Sequence, residues 1–475
     1  MHKIACGLVF NEGEMEFYSL SFVSLIILSI VLFWAIPERF RSFRKWILIL
    51  GSVAFLWDNT MALCFVFLSG FINAVGLRWV LQSKKISSWT VMGIVMNILF
   101  LVFYKVAGAS WSHWAGDWVM PLGLSFYTFQ NIGAWVRVRQ EDWEEVPDLL
   151  DYLIYTVYFP KMLSGPVEPW EKFQSQLQNI GKQHFDEAKI TQALRYILWG
   201  AFAKWVVAPI AHSFYLMLWI DNPSLTAVIG AGGFNFIHIY ADFAGYSNFV
   251  LGISLLLGIE LTQNFKFPFF TNQVRNFWQR WHLSFTQWIL DFIFTPLTFY
   301  LRSWGKTGVA LSILLSFVIV GLWHGLELHY VVFGLLQGLY FLPILLKWKW
   351  SESLAKAKKG NVWIDRGMIF PFFLLMSCTA LIFSSTSWSS FVDHITQIDA
   401  VHAKEWSLFF GLTHGVYLFL LVLFFGIEWW NRNAAFGLDI SSKSGISRWG
   451  LYLILIVALL TWGEFRNTET LYAHF

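Results

Sequence analysis

The sequence predicts an all-α polytopic membrane protein of about 11–13 transmembrane or re-entrant helices, and three observations carry that prediction. Of its 475 residues, 57% are hydrophobic and 13% charged, against about 25% charged in a soluble globular chain. Apolar runs near the length that crosses a bilayer, about 20 residues, recur from one end to the other. Between them there is no polar stretch long enough for a sizeable soluble domain.

The runs cover residues 17–36, 46–57, 61–81, 89–104, 118–136, 148–163, 190–220, 225–258, 286–301, 307–326, 328–346, 368–386, 406–430 and 447–464. The first follows a front too polar to be the basic end of a signal peptide, and no small-residue cleavage pattern comes after it, so it is expected to remain as a span. Runs 46–57 and 148–163 are too short or too broken to cross alone. Such runs are tilted, extended by their flanks or re-entrant, and fourteen runs therefore overstate the number of spans.

Charge sets the orientation and excludes some partners. The formal net charge is +3 and the positive residues lie in short loops, which does not make a nucleic-acid surface. Segment 37–46 holds Arg39, Arg41, Arg44 and Lys45 against Glu38, Arg78, Lys84 and Lys85 follow the third run, and Asp58-Asn59-Thr60 between them has no positive residue. Retention of positive charge on the cytoplasmic side then puts the N-terminus outside. Of the two polar insertions, 164–189 and 347–366, the second carries five lysines and reads as a cytoplasmic loop touching anionic lipid. Cys6, Cys64 and Cys378 are odd in number and far apart, a pattern that supports neither a disulfide framework nor a zinc site.

The residues that could carry chemistry lie in the later runs. His324 stands in Gly321-Leu322-Trp323-His324-Gly325, between two apolar runs separated only by Glu327 and its neighbours. An ionisable group there is costly in lipid, so it faces a protein interior or a water-filled path and marks a functional site by default. Asp242, within Tyr240-Ala241-Asp242-Phe243-Ala244-Gly245-Tyr246-Ser247, is expected to face a cavity or a partner for the same reason. On a helix through 274–290, Trp278, Trp281, Phe285 and Trp288 fall on one face, and Arg275, Gln279, His282 and Thr286 on the other. Interfacial anchoring is the simpler reading of the tryptophans, and a hydrogen-bonded packing histidine the simpler reading of His282.

These motifs resemble a known family. Phe277–Ser284, followed 42 positions after His282 by the segment around His324, is similar to the paired signature of membrane-bound O-acyltransferases. The same likeness covers Pro121-Leu122-Gly123-Leu124-Ser125-Phe126-Tyr127-Thr128-Phe129-Gln130, Phe159-Pro160-Lys161 with Ser164-Gly165-Pro166, Asp242–Ser247, Gly258-Ile259 leading to Asn264-Phe265, and Leu471–Phe475. Within the family the chain resembles the bacterial branch that holds the membrane subunit of alginate O-acetylation and the protein that moves D-alanine onto teichoic acids. It departs from the pattern at Trp288-Ile289-Leu290-Asp291, where the usual arginine is missing, and at Thr298-Phe299-Tyr300, which replaces a Gly-rich loop. Thr295-Pro296-Leu297 is similar to the acetyl-transfer members and Gly325–Tyr330 to the D-alanyl members.

The resemblance implies a ring of helices around a central catalytic tunnel, in one integral-membrane domain over 1–475, with N-terminal helices in 17–110, a catalytic core in 118–346 and C-terminal helices in 368–475. His324 takes the position of the family's essential histidine and His282 that of its second conserved polar residue. Acyl transfer from a thioester to a hydroxyl needs a base. A histidine of ordinary pKa about 6.5 serves near neutral pH, and burial favours its neutral, proton-accepting form. His282 would orient that base or donate to the developing oxyanion. Asp242, Gln130, Tyr246, Trp278 and Trp323 are expected to line the substrate path.

No phosphate-cradling loop, metal-ligand cluster or Gly-x-Ser-x-Gly nucleophile is present in the sequence. An acyl-coenzyme A or acyl carrier protein thioester is thus expected as a donor substrate, with no tightly bound cofactor. The resemblance further implies a bacterial inner membrane location and an extracytoplasmic acyltransferase or glycan-export partner. A transporter relaying protons through Asp242, His282 and His324 is the reading from another class, although the chain lacks the paired broken helices of an inverted repeat.

Overall fold

The computed structural model describes residues 19–83, 86–111, 123–140, 146–184, 186–220, 224–346, 367–398 and 412–465. The basic loop expected at 347–366 and the terminal Leu471–Phe475 motif lie outside the described residues. Regular structure among them is helical, with no strand. Eight described helices are long and apolar enough to cross a membrane, and Leu20–Ala35 and Ile369–Ser384 are shorter apolar helices. In lipid each peptide group must be satisfied within its own segment, so the apolar runs fold as helices where they are long enough. The two runs judged too short form helices of 12 and 9 residues, Arg44–Phe55 and Leu149–Val157.

The chain divides into two compact units. The first holds residues 1–193, 250–262 and 465–475, with helices α1 (Leu20–Ala35), α2 (Arg44–Phe55), α3 (Thr60–Ser83), α4 (Ile86–Trp111), α5 (Leu124–Arg139), α6 (Leu149–Val157), α7 (Trp170–Gln178) and the start of α8 (Glu187–Phe202). Polar side chains tie its apolar helices together. Asn73 on α3 and Asn97 on α4 exchange hydrogen bonds, and the Trp135 indole of α5 donates to Asn73 at 2.7 Å. Asn131 donates to Ser69 and accepts from the Tyr152 hydroxyl at 3.0 Å. Such interhelical bonds supply the attraction that the hydrophobic effect does not supply in lipid.

Arg44 is buried and donates to the carbonyls of Phe33, Ile180 and Gln183, while its guanidinium lies over the rings of Phe33 and Trp34. The polar insertion at 164–189 is therefore not loose: α7 buries Trp170, Phe173 and Leu177. Gly123, at φ 71°, starts α5, and a Cβ there would fall 2.0 Å from the Met162 carbonyl oxygen, so only glycine fits both the turn and the contact.

The second unit holds residues 194–249 and 263–464. Its helices are the rest of α8, α9 (Ala208–Ile220), α10 (Leu225–Leu256) as far as Phe249, α11 (Val274–Trp278), α12 (Leu283–Ile289), α13 (Thr295–Tyr300), α14 (Gly305–His324), α15 (Leu328–Leu339), α16 (Leu342–Leu346), α17 (Ile369–Ser384), α18 (Trp388–Thr396), α19 (Leu412–Trp430) and α20 (Gly445–Trp462). A π turn, Ala203–Val207, joins α8 to α9 and carries Lys204, which forms a buried ion pair with Asp242 on α10. The Tyr240 hydroxyl, also on α10, donates to Glu428 of α19 at 2.7 Å.

Helices α14 and α15 form a hairpin whose backbones touch. A Cβ on Gly321 would lie 2.2 Å from the Tyr330 carbonyl oxygen, and one on Gly334 would lie 2.2 Å from that of Phe317. Alanine gains about 1 kcal/mol over glycine in a helix interior, but overpacking costs about 1–3 kcal/mol, and the atom in the way is backbone that cannot swing aside. Gly321→Ala is therefore expected to lower the thermal midpoint of the detergent-solubilised protein, and an unchanged midpoint would refute the contact.

Candidate active site

His324 is the last residue of α14, where Gly325 leaves the helix in an extended conformation before α15 begins. Its ring is buried and walled by aromatics: Trp323 at 4.4 Å between centroids, Phe383 of α17 at 4.8 Å, and Tyr330 and Phe333 of α15 each at 6.2 Å. The tight hairpin sets this arrangement, since the backbone contact at Gly321 lies one turn before the histidine.

His282 arrives by a different route. The single helix expected through 274–290 is broken into α11 and α12, with turns at Gln279–His282. His282 itself adopts φ 46°, ψ 52°, a left-handed conformation in which Asn, Asp and His are enriched among residues other than glycine. The break arises because two backbone groups bond outside the helix: Lys266 N–H donates to the Arg280 carbonyl at 3.0 Å, and Leu283 N–H to the Asn264 carbonyl at 2.8 Å. The aromatic stripe also differs from interfacial anchoring: Trp278, Trp281, Phe285 and Trp288 are all buried. Trp281 packs on Phe236, Tyr240 and Phe265, so the stripe is core.

The turn brings His282 to Phe243 (4.8 Å, edge-on), Phe285 (5.0 Å) and Trp323 (6.2 Å). Trp323 thus lies against both histidines, and Phe285 packs on it at 4.3 Å. Burial lowers the His282 pKa from its ordinary value, which leaves a neutral ring with one donor and one acceptor nitrogen at physiological pH. Two imidazoles around an indole, inside an aromatic wall that excludes water, can take a proton and donate a hydrogen bond where electrostatic interactions are strong. Among the described residues no group of three His, Cys, Asp or Glu could hold a metal ion.

The other residues expected on a substrate path are placed differently. Asp242 is buried in its ion pair with Lys204. On α10, Phe243 is the residue whose ring meets His282, and Asp242, its neighbour in sequence, points about 100° away around the helix axis. Tyr246 is fully buried. Trp278 donates its indole N–H to Gln337 at 3.2 Å, and Gln337 donates to Thr379 at 3.0 Å, which joins α11, α15 and α17. Gln130 is buried on α5 of the first unit.

Two residues were not singled out in the sequence, Gln337 and, beyond its place in the Gly325–Tyr330 segment, His329. Gln337 is a buried amide in an apolar run, visible in principle by the logic that picked out Asp242. His329 is buried, and neither ring nitrogen has a hydrogen-bond partner among the described residues. Its ring lies 4.0 Å from that of Tyr330. An imidazole opening an apolar run was the available signal, the same one that singled out His324.

A family model, the membrane-bound O-acyltransferase family, matches residues 54–353. The chain belongs to that family. The match includes His282, His324 and every other residue placed above as a candidate. Among curated relatives, a probable alginate O-acetylase AlgI of Pseudomonas syringae pv. tomato is 27% identical over 288 residues, 57% of this chain and 53% of the relative. A teichoic acid D-alanyltransferase of Bacillus subtilis is 25% identical over 362 residues, 70% of this chain and 91% of the relative. One from Streptococcus thermophilus is 30% identical over 287 residues, 55% and 68% respectively. The likeness to the first of these spans about half of that relative's length. Within the family the chain is thus similar to members named for two different acyl groups.

Proposed function

We propose that this chain passes an acyl group, acetyl in this reading, from a cytosolic thioester across the membrane to hydroxyls of an exported polysaccharide or to a partner acyltransferase. The observation that carries the proposal is the gathering of His282 and His324 around Trp323 inside a buried aromatic wall. Membership of the family supports acyl transfer, and the relatives' printed names support a cell-surface polymer as the destination.

In this mechanism the neutral His324 ring accepts the proton of the acceptor hydroxyl as its oxygen attacks the thioester carbonyl. His282 orients that ring or donates to the oxyanion. Collapse of the tetrahedral intermediate breaks the C–S bond, and the proton on His324 passes to the departing thiolate. The donor, an acyl-coenzyme A or an acyl carrier thioester, is a substrate rather than a resident group. The site belongs, in this reading, to a bacterial inner-membrane protein with its N-terminus outside and an extracytoplasmic acyltransferase or glycan-export protein as partner.

The test is mass spectrometry of the cell-surface polymer with and without the chain. Loss of ester-linked acetyl groups is the expected result. Loss of ester-linked alanine would move the assignment to the D-alanyl branch, and an unchanged polymer would refute acyl transfer to it.

A further inference from the structure

We infer that Asn264 is a positioning residue that fixes the imidazole of His282 from behind, and the inference rests on the reading of His282 as part of the reacting site. Asn264 has no exposed surface, and its polar groups are engaged on both sides of the turn. Its backbone carbonyl accepts from Leu283 N–H at 2.8 Å, its side-chain oxygen accepts from the Ser284 hydroxyl at 2.7 Å, and its amide nitrogen donates to the Ser247 hydroxyl at 3.2 Å. Ser247 lies one helical turn beyond Phe243, the residue whose ring meets His282 edge-on. One side chain therefore links the turn that carries His282 to the helix face that His282 packs against.

The first N–H groups of a helix have no intrahelical acceptor, and the residue at the cap usually satisfies one with its own side chain. His282 sits at that cap position of α12 and makes no such bond. The Asn264 carbonyl accepts from Leu283, the first of these N–H groups, and the imidazole, which caps none of them, packs against Phe243, Phe285 and Trp323. With Lys266 bonded to Arg280 on the other side, residues 281 and 282 are bracketed by two backbone bonds. That bracket holds a left-handed residue that would otherwise relax toward continuous helix.

The test is a double-variant cycle read as the rate at which surface polymer gains ester-linked acyl groups in cells, normalised to the amount of membrane-inserted chain. Asn264→Ala is expected to slow acylation by about 10²-fold, the effect of a misplacement of roughly 1 Å at a reacting centre. Ser284→Ala, which removes the hydroxyl that donates to Asn264 and leaves the Asn264–Ser247 bond in place, is expected to slow it less with the thermal midpoint retained. His282→Asn, which keeps a residue suited to the left-handed backbone, sets the reference. Asn264→Ala combined with His282→Asn is expected to be no slower than His282→Asn alone, because a residue that acts through the imidazole has nothing left to position.

Losses that multiply in the combined variant, with His282→Asn itself impaired, overturn the inference and leave the role of His282 standing. Wild-type rates in both Asn264→Ala and Ser284→Ala also overturn it. A wild-type rate in His282→Asn removes the role of His282 and the inference with it.

Discussion

His324→Ala is expected to reach the membrane at the wild-type level and to acylate surface polymer about 10²- to 10⁴-fold more slowly, the range a positioned general base contributes. The two halves of this result have separate physical causes. Chemistry is lost because the proposed base is gone and a water in its place is a far weaker proton acceptor. Insertion is retained because His324 is the terminal residue of α14, so its loss interrupts no helix and removes a polar group from an apolar wall. Immunodetection in washed membranes checks insertion and ester analysis of the polymer checks transfer. Wild-type acylation in this variant would defeat the enzymatic reading of the site.

The second large effect is on stability. Lys204→Ala or Asp242→Ala is expected to destabilise the protein by about 3–5 kcal/mol, because removing one member leaves a buried charge uncompensated. The combined Lys204→Met and Asp242→Leu replacement is expected to recover most of that loss, since apolar side chains of similar size often replace a buried pair at little cost. Thermal unfolding in detergent measures both. The comparison also decides the role of Asp242: a carboxylate that lines a substrate path would cost activity at an unchanged midpoint, and that outcome would contradict the structural assignment.

The spans were readable in the sequence because lipid imposes one solution on a long apolar run, and residues such as those of α3, α10 and α14 satisfy it locally. His324 and His282 were readable for a related reason, since a polar ring in an oily environment stands out by composition alone. What could not be read is set by distant partners. The Trp278–Trp288 periodicity fits an unbroken helix, and the break comes from bonds to Asn264 and Lys266 on a preceding segment. Asp242 announces itself as a charge at membrane depth, but nothing in its neighbourhood names Lys204, which is brought to it only by the packing of two helices. Burial of the tryptophans is likewise a property of the assembled unit, because the same stripe at a bilayer surface would look identical in sequence.

The Lys204–Asp242 pair bears on how the protein enters the bilayer. The two residues sit near the middle of successive membrane helices, α8 to α9 and α10. Placed alone at the centre of a span, either charge costs about 2.5–3.5 kcal/mol during insertion. Entering together as a hairpin, the two helices can neutralise each other's charge before either faces lipid. Their order along the chain makes that joint entry available during synthesis, so biogenesis of this segment should proceed by pairs of helices rather than one helix at a time.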